Sequence, residues 1–124
     1  MLEFYSASAR IINSRRAVTE CMEIALGDNY SDCDLVILHA SIGHNFNDLI
    51  SQTRAMAPRA RIVAASCCGV IGREGVSESM KDIALMAIRG KEFAVASVDA
   101  IYGSNSYEKS LELAHALKAQ SDKI

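Results

Sequence analysis

An α/β fold built on a mixed sheet is predicted by three observations. Residues 33–41 (CDLVILHAS) form a continuously apolar run of strand length, which implies burial on both faces and favours a parallel, helix-covered sheet. The segments on either side of that run carry apolar residues at helical spacing. Half of the 124 residues are hydrophobic, 23% are charged and one is proline, a balance that supports a compact core and argues against linkers.

The elements follow in order. Residues 2–8 (LEFYSAS) read as a first strand. Asn13 or Ser14 can cap a helix on which Val18, Cys21, Met22, Ala25 and Leu26 share a face, and Gly27 ends it. After the apolar strand at 33–41, Asn45 followed by Asp48 resembles a capping box. It opens a helix expected to bury Phe46, Leu49, Ile50, Thr53 and Met56 before Pro58 closes it. Residues 61–66 are the third strand, read as buried through Ile62, Val63, Ala64 and Ala65. Strands near 83–88 and 93–98 are separated only by residues 89–92 and predict a hairpin. Asn105 with Glu108 reads as a second capping box, starting a helix expected to bury Leu111, Ala114 and Leu117. The predicted order is β-α-β-α-β-β-β-α in a single three-layer domain, residues 1–124, with the first three strands parallel and the helices packed on the sheet.

Charge and hydropathy narrow the function classes. Thirteen basic against fifteen acidic residues leave a net charge of −2 without a basic stripe, so nucleic acid is not expected as a partner. No apolar run approaches the roughly 20 residues that cross a bilayer, and residues 1–26 lack the order of a signal peptide. A cytoplasmic location without a membrane partner is expected.

Right-handed crossovers place the carboxyl ends of the first three strands on one rim, the usual pocket position in an α/β sheet. That rim receives Tyr5, Ser6 and Ser8, then His39, Ser41, Gly43 and His44, then Ser66, Cys67, Cys68 and Gly69. Its densest segment is ARIVAASCCGVIGREG, residues 60–75, where Gly69 and Gly72 allow close backbone approach and positive φ. The candidate pocket combines Ser41, Gly43 and His44 after strand two with Ser66, Cys67, Cys68 and Gly69 after strand three. Hydroxyl and backbone donors there suit a small polar ligand. His44 stands just before the Asn45 cap, where free N–H groups favour an anion, whereas His39 reads as a core histidine donating to a carbonyl. His115 falls on the last helix and reads as exposed, and Tyr102 could line a pocket.

Other chemistries fit less well. A triad of Ser66, His44 and Asp99 lacks both glycines of the G-x-S-x-G elbow. The four cysteines are spaced by 12, 34 and 1 residues and offer no zinc knuckle. Cys21 and Cys33 sit in apolar segments and read as inert buried thiols. Cys67 and Cys68 could form a redox pair or supply a nucleophile, although a disulfide between neighbours strains the backbone.

Residues 64–71, Ala-Ala-Ser-Cys-Cys-Gly-Val-Ile, preceded by a helix ending at Pro58 and a hydrophobic strand, resemble the pattern G-C-S-T-A-G-E-I of the amino-terminal FIST domain. Ser66, Gly69 and Ile71 keep the pattern, while Cys67, Cys68 and Val70 replace its Thr, small and acidic residues. The segment DIALMAIRG with Phe93 to Val98 is similar to the strand pair that follows the motif. The family's domain is usually longer and followed by a partner domain, so the resemblance implies a trimmed or minimal version. It also implies a sensory module of a prokaryotic signalling system, binding an amino acid or other small ligand, or haem in some members, and reporting to an output protein. Two alternatives stand beside this reading: a thiol-based redox sensor or enzyme using Cys67 and Cys68, and a non-catalytic assembly subunit that forms a homo-oligomer.

Overall fold

The computed structural model describes residues 1–72 and 75–121. Arg73 and Glu74 of the glycine loop lie outside the described residues. The chain divides into two compact units, Met1–Lys91 and Glu92–Ile124.

In the first unit, strands β1 (Glu3–Arg10), β2 (Leu35–Ser41), β3 (Arg61–Cys67) and β6 (Asp82–Arg89) form one sheet in the order β1-β6-β2-β3. A short hairpin of β4 (Val70–Gly72) and β5 (Gly75–Ser77) interrupts the path from β3 to β6. Strands β2 and β3 pair in parallel, and β6 pairs antiparallel with both β1 and β2. The sheet is therefore mixed, and β1, β2 and β3 run the same way, with β6 inserted between the first two.

Helix α1 (Ser14–Leu26) starts at Asn13, whose side chain accepts from the Arg16 N–H at 3.0 Å, and ends at Gly27 with φ of 62°. That left-handed backbone favours glycine. Helix α2 (Phe46–Met56) is capped as expected: the Asn45 side chain accepts from the Asp48 N–H at 3.1 Å. Val18, Cys21 and Met22 of α1 and Leu49 and Thr53 of α2 are fully buried, as are Val36, Leu38 and Ile83 of the sheet. The Thr53 hydroxyl donates to the Leu49 carbonyl one turn back at 2.8 Å, so its burial leaves no polar atom unsatisfied.

Helices α1 and α2 pack on the same face of the first unit's sheet and against each other. The cause is the insertion of β6. The crossovers from β1 to β2 and from β2 to β3 step across the sheet in one direction, and right-handed connections then place both helices on one side. The second face carries the rows Ser6, Met86, Ile37, Val63 and Ser8, Ala84, His39, Ala65, set by strand register and the two-residue alternation of side chains. The buried reading of strand three is corrected accordingly. Val63 is 40% exposed and Ala65 is exposed, because β3 is an edge strand and both residues alternate onto the face away from α1 and α2.

At the far end of the sheet, Asp34 is held by Lys91 Nζ at 2.7 Å and the Gly90 N–H at 2.9 Å, with Arg59 at 3.5 Å. The Lys91 hydrogen bond, followed by that of Gly90, keeps its carboxyl below the usual aspartate range. Arg59 also pairs with Asp32, and Arg89 lies 5.1 Å from the centre of the Tyr5 ring.

The second unit holds an irregular segment and helix α3 (Ser106–Lys118). The strand expected at 93–98 is not formed, and neither is its hairpin, because both edges of β6 are taken by β1 and β2. Gln120 instead brackets Val95, its side chain accepting from the Val95 N–H at 3.1 Å and donating to the Val95 carbonyl at 2.7 Å. The second capping box is also corrected. The Asn105 side chain accepts from the Tyr102 N–H at 2.7 Å and donates to the Ala100 carbonyl, bracing the preceding turn rather than the helix start. No residue of α3 is buried, and Leu111 is 47% exposed. His115 is exposed, as expected.

Candidate functional site

The carboxyl ends of β2 and β3 lie side by side, with Ser41 opposite Cys67 in the register. This brings the two predicted loops together. The chain's own segment 77–82, which leads from β5 into β6, occupies much of that rim. The Ser41 hydroxyl, buried, donates to the Ser79 carbonyl at 2.6 Å. A methyl group on Gly43 would overlap the Met80 carbonyl oxygen, and one on Gly69 would lie 2.8 Å from the Ser77 oxygen. Gly69 is thus required for close approach; positive φ occurs at Gly27, Gly75 and Gly90 instead.

His44 is 6% exposed and engaged at both ring nitrogens. Nε2 lies 2.9 Å from the Lys81 carbonyl, which can only accept, so Nε2 carries the proton. Nδ1 lies 3.0 Å from Ser14 Oγ, which in turn accepts from the Asn45 N–H at 2.9 Å. The Ser14 hydroxyl proton is then directed at Nδ1, an assignment that follows from the network. One side chain ties the start of α1, the start of α2 and the approach to β6.

Asp82 completes the clasp. Its carboxylate, 1% exposed as a residue, accepts from the Ser79 N–H at 2.6 Å and from Arg10 Nε at 3.3 Å, while Arg10 also donates to Ser77 Oγ. Arg10, Ser77 and Asp82 lie in the wall of one cleft of about 410 Å³, with Arg10 bonded to the other two.

Ser66 and Cys68 are exposed and Cys67 is half-buried. Burial pushes the Cys67 thiol up from its ordinary value, outweighing the opposing hydrogen bond with Gly69, and Cys68 and Asp82 add to the rise. A thiolate nucleophile is therefore disfavoured at Cys67 near neutral pH. Iodoacetamide at pH 7.5 should label Cys67 at least about threefold more slowly than an unfolded reference peptide of the same sequence. Peptide-resolved mass spectrometry reads the rate, and faster labelling of Cys67 would restore the redox reading. Cys21 and Cys33 are buried, and the Cys33 thiol donates to the Leu35 carbonyl at 3.3 Å. Among the described residues, no three His, Cys, Asp or Glu side chains come together as a metal site.

The second face of the sheet holds a groove that sequence reasoning missed. It has a volume of about 400 Å³ and is lined by Ser6, Ile37, His39, Ile71, Ala84 and Met86, with Gly72 of the hairpin beside them. Strand β4 packs against β6 and reaches β1 and β2, so the hairpin bounds the groove over the middle of the sheet. His39 is exposed here, correcting its reading as a core histidine. Alternation along β2 buries Leu38 and Ala40 against the helices and turns His39 to the face without them. Among the described residues, neither the His39 imidazole nor the Ser6 hydroxyl has a hydrogen-bond or ion-pair partner. The signal available in the sequence was the histidine itself, a polar interruption in an apolar strand.

The fold and groove together define the first unit as an α/β domain with α1 and α2 on one sheet face and a bounded cleft on the other. A scan against protein-family models and a search of curated proteins found no match to this chain. Among the described residues, no helix is long and apolar enough to cross a membrane.

Proposed function

We propose that this chain is a small-ligand-binding module of the sensory kind that the FIST resemblance implies, and that its ligand enters the groove on the second sheet face. The observation that carries this reading is the contrast between the two histidines. His44, on the predicted rim, is spent on two internal hydrogen bonds, whereas the His39 imidazole, in a groove of about 400 Å³, has no hydrogen-bond partner among the described residues. An apolar lining with a few convergent polar groups is the usual composition of a ligand pocket. The rim residues Ser41, Gly43, His44 and Gly69 serve this site by fixing segment 77–82, which joins the hairpin to β6. A separate output protein would read occupancy through the hairpin.

Of the ligands that the resemblance raises, haem would be held by the His39 imidazole. Among the described residues of the lining, a free amino acid would find no carboxylate, lysine or arginine for its two charges. A thermal-shift screen of the full chain against haem, amino acids, small carboxylates and uncharged aromatic compounds tests the reading, since a ligand selective for the folded state raises its Tm. At a hundredfold excess over Kd, the gain is about 2.7 kcal/mol, or about 10 °C for a domain of this size. Ala84→Leu should abolish that shift by filling the groove, and Ser66→Ala should leave it unchanged. A shift that survives Ala84→Leu but is lost in Ser66→Ala would place the ligand on the rim.

A further inference from the structure

We infer that the groove selects a flat, uncharged aromatic ring carrying one hydrogen-bonding group on its edge, the class of indoles and related heteroaromatics. This rests on the groove reading above and adds its specificity. The floor is low where Ala84, the small residue opposite His39 in the register, lies between His39 and Met86 in the lining. Gly72 faces the same space without a side chain of its own. A ring can lie on such a surface, whereas a puckered or branched body would lose contact with it.

The boundary chemistry agrees. Met86 and Ile37 stand side by side in the next row, so a ring lying over Ala84 meets the Met86 thioether at its edge, a favourable sulfur–aromatic contact. Among the described residues of the lining, the polar side chains are His39 and Ser6, on strands β2 and β1 with β6 between them, a separation of about 10 Å across the sheet. A compact ring therefore reaches one of them. His39 is the one beside Ala84 and can donate or accept. Among the described residues, the lining holds no aspartate, glutamate, lysine or arginine, so a full ligand charge on this floor would find no counter-ion among them.

The test uses the full chain with its methionine methyl groups isotopically labelled, titrated separately with indole, octahydroinden-5-ol, a neutral saturated bicycle of the same ring sizes with one hydroxyl, and indole-3-carboxylate. The Met86 methyl resonance is assigned by Met86→Leu. Indole should move that resonance upfield through its ring current, and octahydroinden-5-ol should bind at least about tenfold more weakly. His39→Ala, a change at an exposed position, should weaken indole about tenfold, the loss of one hydrogen bond. Equal binding of indole and octahydroinden-5-ol, both blocked by Ala84→Leu, would overturn the ring specificity and keep the groove. Tighter binding of the carboxylate than of indole would overturn the requirement for an uncharged ligand. An Met86 resonance unmoved by every probe, with no groove ligand in the thermal-shift screen, would remove both readings.

Discussion

Replacing Gly43 with alanine should destabilise the chain by about 3 kcal/mol, at the upper end of the cost of overpacking. The new methyl group would overlap the backbone oxygen of Met80. A flexible side chain could swing aside, but this carbonyl belongs to the segment that Ser41 and His44 hold on either side, at Ser79 and Lys81. The sign of the effect is informative. Gly43 is not among the residues with positive φ, so without that overlap a change to alanine would stabilise the chain by about 0.4–1 kcal/mol through the unfolded state. Urea unfolding decides between them. The midpoint should fall at unchanged slope, and a rise would show that segment 77–82 yields.

His44→Ala is expected to cost about 3 kcal/mol, combining the lost hydrogen bonds, the groups they leave unpaired and the space left behind. The Lys81 carbonyl loses its imidazole donor and the Ser14 hydroxyl loses its acceptor. Glutamine at this position can present an N–H near the place of Nε2, so His44→Gln should recover about 1 kcal/mol. A double-mutant cycle separates the network from simple truncation. Ser14→Ala and His44→Ala should be non-additive by about 1 kcal/mol, because each removes the same hydrogen bond. Additive losses would mean that His44 acts only by filling space. If the groove binds the ligand, His44→Gln should also keep ligand affinity near that of the parent chain, since His44 does not line it.

The individual elements of the first unit were legible because their signals are local. Asn13 and Asn45 cap helices through their own side chains, and Gly27 takes the φ of 62° that favours glycine. Val18, Cys21, Met22, Leu49 and Met56 recur at the helical period and are buried. The same local reasoning was insufficient at Asn105, whose side chain has two competing backbone partners in the preceding turn. Phe93 to Val98 has strand-like composition, but a strand also needs an edge to pair with, and β6 has neither edge open.

The candidate site was legible only as a set of residue types. That Ser41, Gly43, His44 and Gly69 belong together follows from parallel strands, and the structure does bring them to one rim. What meets them there depends on residues 77–82, far along the chain, whose carbonyls take up the hydrogen bonds of Ser41 and His44. The groove's local signal was limited to His39 as a polar interruption of β2, since Ser6, His39, Ile71 and Ala84 come from four strands.

By itself the sequence determined the α/β class, the helices α1 and α2 with their caps, and the approximate place of β1, β2, β3 and β6, because period and capping depend on neighbours within a few residues. Only the tertiary structure decided the order β1-β6-β2-β3, and with it the placing of both helices on one face and of His39 on the other. Strand order is a choice among long-range pairings that the local pattern leaves equivalent, and the hydrogen bonds of β6 to two partners settle it.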